Sequence, residues 1–156
     1  MDEQRFLDLS ADYLGEYLGK ISSSVATLTE AQVWWRPNDA SNSVGNLLLH
    51  LAGNLSEWIL ASLGGVVFER HRDAEFRAKE GRSKEELLAA LSDVVASCQK
   101  VVRGLTATNL AKRFTIHGDE VDGLEAVYHV VDHMSYHTGQ IAYVAKELAA
   151  KDLALT

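Results

Sequence analysis

The stretch SVGNLLLHLAGNLSEWILASLG, residues 43–64, predicts a long helix that is apolar on nearly every side. The helix should begin near Ser43 and end at Gly64 and Gly65, where two consecutive glycines break the pattern. A helix without a polar face has to be covered by other elements. We therefore expect it to be deeply packed.

Three further segments predict long helices. The first has apolar side chains at steps of three and four, and each of the other two opens with the spacing of a capping box. They cover residues 3–27, 84–104 and 123–150, and the capping pairs are Ser83 with Glu86 and Asp122 with Glu125. Four such helices predict an all-α, up-and-down-like four-helix bundle forming a single domain over residues 1–156.

The segments between the helices are less regular. Thr29 can cap a short turn, which Pro37 and a polar cluster follow. Residues 66–82 are charged and unevenly patterned, so we expect a long connection with at most one irregular turn. Residues 114–123, FTIHGDEVDG, predict an extended loop or a short hairpin.

The composition excludes some partners. A formal net charge of −7 disfavours nucleic acids and anionic membranes, which attract basic proteins. The sequence has no run of 18 consecutive apolar residues, so it predicts no membrane span. The acidic start does not resemble a signal peptide. Cys98 is the single cysteine, which excludes an intrachain disulfide and favours a reducing cytoplasmic location.

A stripe of histidines marks the fourth predicted helix. In HVVDHMSYHTGQ, residues 129–140, His129, His133 and His137 recur every four residues and so share one face. The stripe spans about 12 Å, which is too long for all three rings to bind one ion. Two of them at most should share a metal.

His50 can supply a third imidazole from the second helix, where Asn46, Asn54 and Glu57 share its side. Two interpretations stay open on spacing alone. Three imidazoles from His50, His133 and His137 could hold Zn, Ni, Fe or Cu with positions left for water or substrate. Alternatively, His50 is a hydrogen-bonded core residue and the stripe is a half-exposed helix face.

Two stretches carry a family resemblance: NSVGNLLLHLAGNLSEWI at 42–59 and YHVVDHMSYHTGQIAYV at 128–144, with WW-x-P between the first two helices. Together they resemble the DinB-like superfamily of four-helix-bundle proteins over nearly the whole chain. The resemblance implies that His50, His133 and His137 bind a divalent metal. His129 has no counterpart among those ligands and is expected to support them from the second layer.

The resemblance also implies a chemistry. The superfamily is similar to bacillithiol S-transferases and mycothiol-dependent maleylpyruvate isomerase, in which a divalent metal activates a low-molecular-weight thiol. We accordingly expect zinc or nickel, a thiol, a small-molecule substrate and a homodimer formed through an apolar helix face. Candidate contacts to the ligands or substrate are Asn54, His129, Tyr136 and Gln140.

Two other functions remain open. A metal-dependent hydrolase would activate water at the same position and needs a base, for which Glu57 is the candidate. A stress-linked metal-binding dimer would have no catalytic residue at all. The fold alone does not choose among the three.

Overall fold

The computed structural model describes residues 2–154, which fold around four long helices. These are α1 (Glu3–Ala26), α3 (Val44–Leu55), α5 (Lys84–Arg103) and α7 (Gly123–Ala154). The shorter elements are α2 (Glu30–Val33), α4 (Arg72–Arg77), α6 (Ala107–Ala111), β1 (Arg113–Ile116) and β2 (Asp119–Asp122). The predicted all-α four-helix bundle is confirmed.

The order of helices around the bundle differs from the up-and-down expectation. Among the four long helices, α1 packs against α5 and α7, and α3 packs against the same two. Helices α1 and α3, which follow each other along the chain, therefore lie diagonally across the bundle. The connections at residues 27–43 and 104–122 are long enough to cross its ends, so consecutive helices need not be neighbours.

Aliphatic side chains from all four helices form one core. Leu9 and Tyr13 of α1 remain 41% and 45% exposed, but most apolar side chains on the predicted arcs point inward and are buried. The largest of these side chains are Leu7, Leu14 and Ile21 from α1, Leu48, Leu51 and Leu55 from α3, Leu87 and Leu91 from α5, and Met134 and Ile141 from α7.

Side-chain caps start the helices where the sequence predicts. The Asp122 carboxylate accepts a hydrogen bond from the Glu125 backbone N–H at 2.8 Å, and the Glu125 carboxylate accepts one from the Asp122 backbone N–H at 2.8 Å. Capping boxes also open α2 at Thr29 and α5 at Ser83. These reciprocal bonds satisfy backbone donors that a helix start would otherwise leave unpaired.

The second predicted helix is not α-helical throughout. A π-helical turn at Ser56–Ala61 follows α3 directly and carries Glu57 and Trp58. The chain leaves the helix at Gly65, whose φ of +73° suits glycine, so the predicted stop is confirmed. Single π turns are frequently found at functional sites.

The connections are more ordered than the sequence suggests. Residues 66–82 contain α4, and β1 and β2 form a two-stranded antiparallel hairpin. His117 and Gly118 form the hairpin turn with φ values of +57° and +86°, which is the pattern of a type I′ turn. Among the helices described, none combines the length and apolarity needed to cross a bilayer.

Candidate metal centre

Three imidazoles meet between α3 and α7. The Nε2 atom of His133 lies 3.0 Å from Nε2 of His50 and 3.1 Å from Nε2 of His137. Four nitrogens bound tetrahedrally at 2.0–2.1 Å from Zn²⁺ would lie about 3.3 Å apart. The three rings are therefore spaced as ligands of a single ion, and they could hold a divalent metal.

The outer ring nitrogens fix which nitrogen faces the centre. Nδ1 of His137 donates to Gln140 Oε1 at 2.7 Å, and Nδ1 of His50 donates to Glu75 Oε2 at 3.0 Å. Each of these rings then has its proton on Nδ1 and a lone pair on Nε2. Lone pairs of neighbouring rings that point at one another repel, and a cation between them removes that repulsion. The donor set thus fits a metal.

His133 supports the same conclusion. Its Nδ1 atom is buried and has no hydrogen-bond partner among the described residues, while its Nε2 faces the other two rings. Burial and the neighbouring His137, His50 and His129 lower its pKa to about 3. Burial also lowers the pKa of His137, although the Gln140 hydrogen bond opposes this. Both rings are neutral at pH 7, which is the form that binds metals.

A buried ion-pair cluster surrounds the far side of His50, and the sequence did not predict it. Arg70, whose side chain is 4% exposed, donates from Nε to Glu75 Oε1 at 2.8 Å and from Nη2 to Glu75 Oε2 at 2.9 Å. Burial alone would raise the pKa of Glu75, but hydrogen bonds from His50 and Arg70 lower it on balance. Glu75 is therefore a carboxylate at neutral pH.

Arg70 and Glu75 lie in the segment 66–82, for which we expected no functional role. Charge patterning there indicates only a solvated connection, because nothing in a local pattern shows that α4 folds back onto α3. One signal was available: Gly53 interrupts an otherwise strong helix one turn after His50. A glycine there predicts a close approach by another group.

Glu57 is held by two partners. Its Oε2 accepts from Arg70 Nη1 at 2.9 Å and lies 2.9 Å from His117 Nε2 at the hairpin turn. Arg70 in turn contacts Nδ1 of His50, on the side of that ring away from the three converging nitrogens. Glu57 is thus connected to the centre through an arginine. The sequence placed His117 in an extended loop or short hairpin and did not predict this contact.

His129 lies outside the group of three converging rings. It stacks on Trp58 at 3.8 Å between ring centroids and on His133 at 5.4 Å, and its Nε2 lies 3.4 Å from Asn54 Nδ2. Burial is the main reason that its pKa is lowered. These contacts place both His129 and Asn54 beside the centre, as the sequence suggested. Trp58 was not singled out in the sequence.

The remaining predicted contacts lie on α7. Gln140 orients His137, as described above. Tyr136 is 63% exposed and touches the His137 ring edge-on, with 5.1 Å between the ring centroids. Tyr136 is therefore placed where a molecule arriving from solvent would meet it.

The chain matches known proteins in family and in fold. A model of DUF1572, a family described as a protein of unknown function, matches residues 2–155. No curated protein has significant sequence similarity to the chain.

Solved structures with the same fold include three bacterial proteins. A conserved Enterococcus faecalis protein has a TM-score of 0.73 at 19% identity, covering 88% of this chain and 94% of that one. YfiT from Bacillus subtilis, described as a probable metal-dependent hydrolase with an unusual four-helix bundle topology, has a TM-score of 0.75 at 18% identity, with 91% and 87% covered. The DinB-like Bacillus subtilis protein YjoA has a TM-score of 0.67 at 14% identity, with 90% and 92% covered.

Proposed function

This chain belongs to DUF1572 and has the fold of a DinB-like protein, and on that premise we propose that it is a metal-dependent transferase. It would transfer a low-molecular-weight thiol to an electrophilic small molecule. His50, His133 and His137 would hold the metal, for which zinc or nickel suits three imidazoles. When bound, such an ion lowers the pKa of a thiol or water beside it.

The pairing of the nearby acids is the observation that favours a thiol. Glu57 and Glu75 both bind Arg70, so neither of these described carboxylates is free to accept protons from a substrate. Water has to give up a proton to a base as it attacks, whereas a thiol, which is far more acidic, can release its proton to solvent before it attacks. A centre whose acids are already paired suits the second reaction better.

The thiol has to come from outside the chain. Cys98 is completely buried, its Sγ lies 3.6 Å from the Leu55 carbonyl oxygen, and burial raises its pKa to about 12. A buried thiol with so high a pKa is inert as a nucleophile. Cys98 thus fills the core.

Elemental analysis tests the metal. Protein purified without an affinity tag should contain about one zinc or nickel ion per chain, and so should His71→Ala, which removes an exposed histidine. The double variant His133→Ala, His137→Ala should contain little or none, because it removes two of three ligands. Stoichiometric metal in the double variant would contradict the site.

A thermal-shift experiment tests the thiol. Bacillithiol or mycothiol should stabilise the metal-loaded protein and so raise its melting temperature. At a thiol concentration of 100 times the dissociation constant, the free energy of unfolding should increase by about 2.7 kcal/mol. The S-methylated thiol, which has no proton to lose, serves as the matched ligand control. Equal stabilisation by the free thiol and its S-methylated form would contradict the transferase proposal. Stabilisation by the thiol after the metal has been chelated would contradict it as well.

The description of YfiT supports a hydrolase as the second candidate. In that case Glu57 would accept a proton from water after loosening from Arg70 and His117. Glu57→Gln should then abolish ester or amide hydrolysis while the metal content stays unchanged. Retained hydrolysis in this variant would exclude Glu57 as the base.

A further inference from the structure

Gly53 lies directly under the carboxylate that contacts His50. A Cβ atom at this position would overlap Glu75 Oε1 and would lie 2.9 Å from Glu75 Cδ and 3.0 Å from Arg70 Nε. No methyl group fits there while Glu75 keeps its place. In mid-helix, glycine is also less favourable than alanine. α3 thus carries a local weakness at a point where the Glu75–Arg70 pair touches it.

Glu75 is held rigidly in this position. Both of its oxygens accept hydrogen bonds from Arg70, in the two-pronged geometry that is specific to guanidinium and carboxylate groups. Its side chain is only 10% exposed. The carboxylate therefore has little freedom to turn away from the imidazole that it faces.

The contact with His50 has one consistent proton arrangement. Glu75 Oε2 accepts from Nδ1 of His50 at 3.0 Å and from Nη2 of Arg70 at 2.9 Å. The Arg70 Nη2 atom also lies 3.0 Å from Nδ1 of His50, but a carboxylate oxygen can only accept, so we place the Nδ1 proton toward Glu75 Oε2. This arrangement leaves the lone pair of His50 on Nε2, toward His133.

We propose that Gly53, Glu75 and Arg70 form a clamp that positions His50 and sets the affinity of the centre for its metal. The effect on metal affinity rests on the proposed function, whereas the effect on the His50 proton does not. The three residues act through His50 and are positioning residues. Partners of this kind typically change metal affinity by 10- to 100-fold.

Gly53→Ala is the decisive variant, because the three atoms nearest to its methyl group belong to the side chains of Glu75 and Arg70, so the substitution displaces the clamp directly. Gly19→Ala is the matched control: it makes the same change in α1, where a Cβ would meet nothing within 4 Å. The dissociation constant for Zn²⁺ is measured by competition with a chelator. Gly53→Ala should weaken binding about 10- to 100-fold, and Gly19→Ala should leave it unchanged.

A double-mutant cycle tests whether Gly53 acts through Glu75. Glu75→Ala alone should weaken zinc binding by a similar factor. The double variant Gly53→Ala, Glu75→Ala should bind zinc at least as tightly as the single variant with the lower zinc affinity. Independent effects would multiply instead. Multiplying effects, or zinc binding by Gly53→Ala equal to that of Gly19→Ala, would overturn the clamp.

The His50 tautomer provides a second measurement that does not need the metal. In ¹⁵N NMR spectra of metal-free protein at neutral pH, the proton of His50 should be on Nδ1 in the wild type and in Gly19→Ala. It should shift toward Nε2 in Gly53→Ala. If wild-type protein binds no zinc, the proposed function fails while the tautomer still tests the clamp, and an unchanged tautomer overturns it.

Discussion

His133 shows how much of the centre depends on the protonation of single rings. It is neutral because burial and three neighbouring histidines lower its pKa to about 3. His129 and His137 have lowered pKa values as well, with burial as the main cause in each. Folding thus keeps three imidazoles uncharged that would each take up a proton near pH 6.5 in the unfolded chain.

The stability of metal-free protein should therefore fall as the pH falls below about 6.5. In that range the unfolded state binds more protons than the folded state, so protonation favours unfolding. The contribution of His133 to the free energy of unfolding continues to fall until about pH 3. Allowing for partial exposure, the free energy of unfolding should drop by about 1–2 kcal/mol from pH 7 to pH 5. Urea unfolding of the metal-free protein at each pH measures this free energy.

His133→Gln should flatten this pH profile, since glutamine takes up no proton. His71→Ala, which removes an exposed histidine, should keep the slope of the wild type. A wild-type profile that is level between pH 7 and pH 5 would contradict the assignment of these rings as neutral.

α4 is too short to be stable by itself, and α3 holds it in place. Helices of six residues are unstable in water because nucleation is unfavourable. The Asn46 side chain, completely buried at the start of α3, donates to the Glu75 and Ala78 carbonyl oxygens at 2.8 Å each. Arg36 adds bonds to the Phe76 and Ala78 carbonyl oxygens at 3.0 and 2.9 Å. Glu75 reaches His50 because these bonds anchor its backbone.

Asn46→Ala should release α4 from the bundle. The variant loses two bonds to buried carbonyl groups, so trypsin should cut within residues 66–82 faster than in the wild type. Asn109→Ala is the matched control, because Asn109 has the same capping-box role at the start of α6. Equal cleavage rates within residues 66–82 for the two variants would show that α4 does not depend on Asn46.

The outer face of α7 presents three aromatic side chains to solvent between residues 128 and 143. Tyr128, Tyr136 and Tyr143 are 62%, 63% and 70% exposed. Exposed aromatic residues in a row are more typical of protein interfaces than of free surfaces. This face is the one we associate with the homodimer implied by the family resemblance, which stays a prediction.

Sedimentation equilibrium should give the mass of a dimer for the wild type. Tyr143→Glu should weaken association by at least about tenfold, because it places a charge in the contact. Val67→Glu makes a similar change at a side chain that is 100% exposed in the connection before α4, and it should leave the mass unchanged. A wild-type protein that sediments as a monomer would contradict the prediction.

The fold was readable from local patterns to a large extent. The four long helices, the helix caps at Thr29, Ser83 and Asp122, and the glycine stop at residues 64–65 all follow from spacing and side-chain chemistry within a few residues. The π-helical turn and the diagonal placement of α1 and α3 do not, because they depend on packing between segments far apart in the chain.

The same distinction between local pattern and tertiary packing applies to the metal centre. Helical periodicity by itself places His133 and His137 on one face of α7, and the apolar surroundings of His50 mark it as a buried ring. The meeting of the three Nε2 atoms, and the placing of Arg70 and Glu75 behind His50, come only from packing α3 against α7 and folding α4 onto α3. Periodicity describes neighbours within one helix, whereas contacts across helices depend on how separate surfaces fit together.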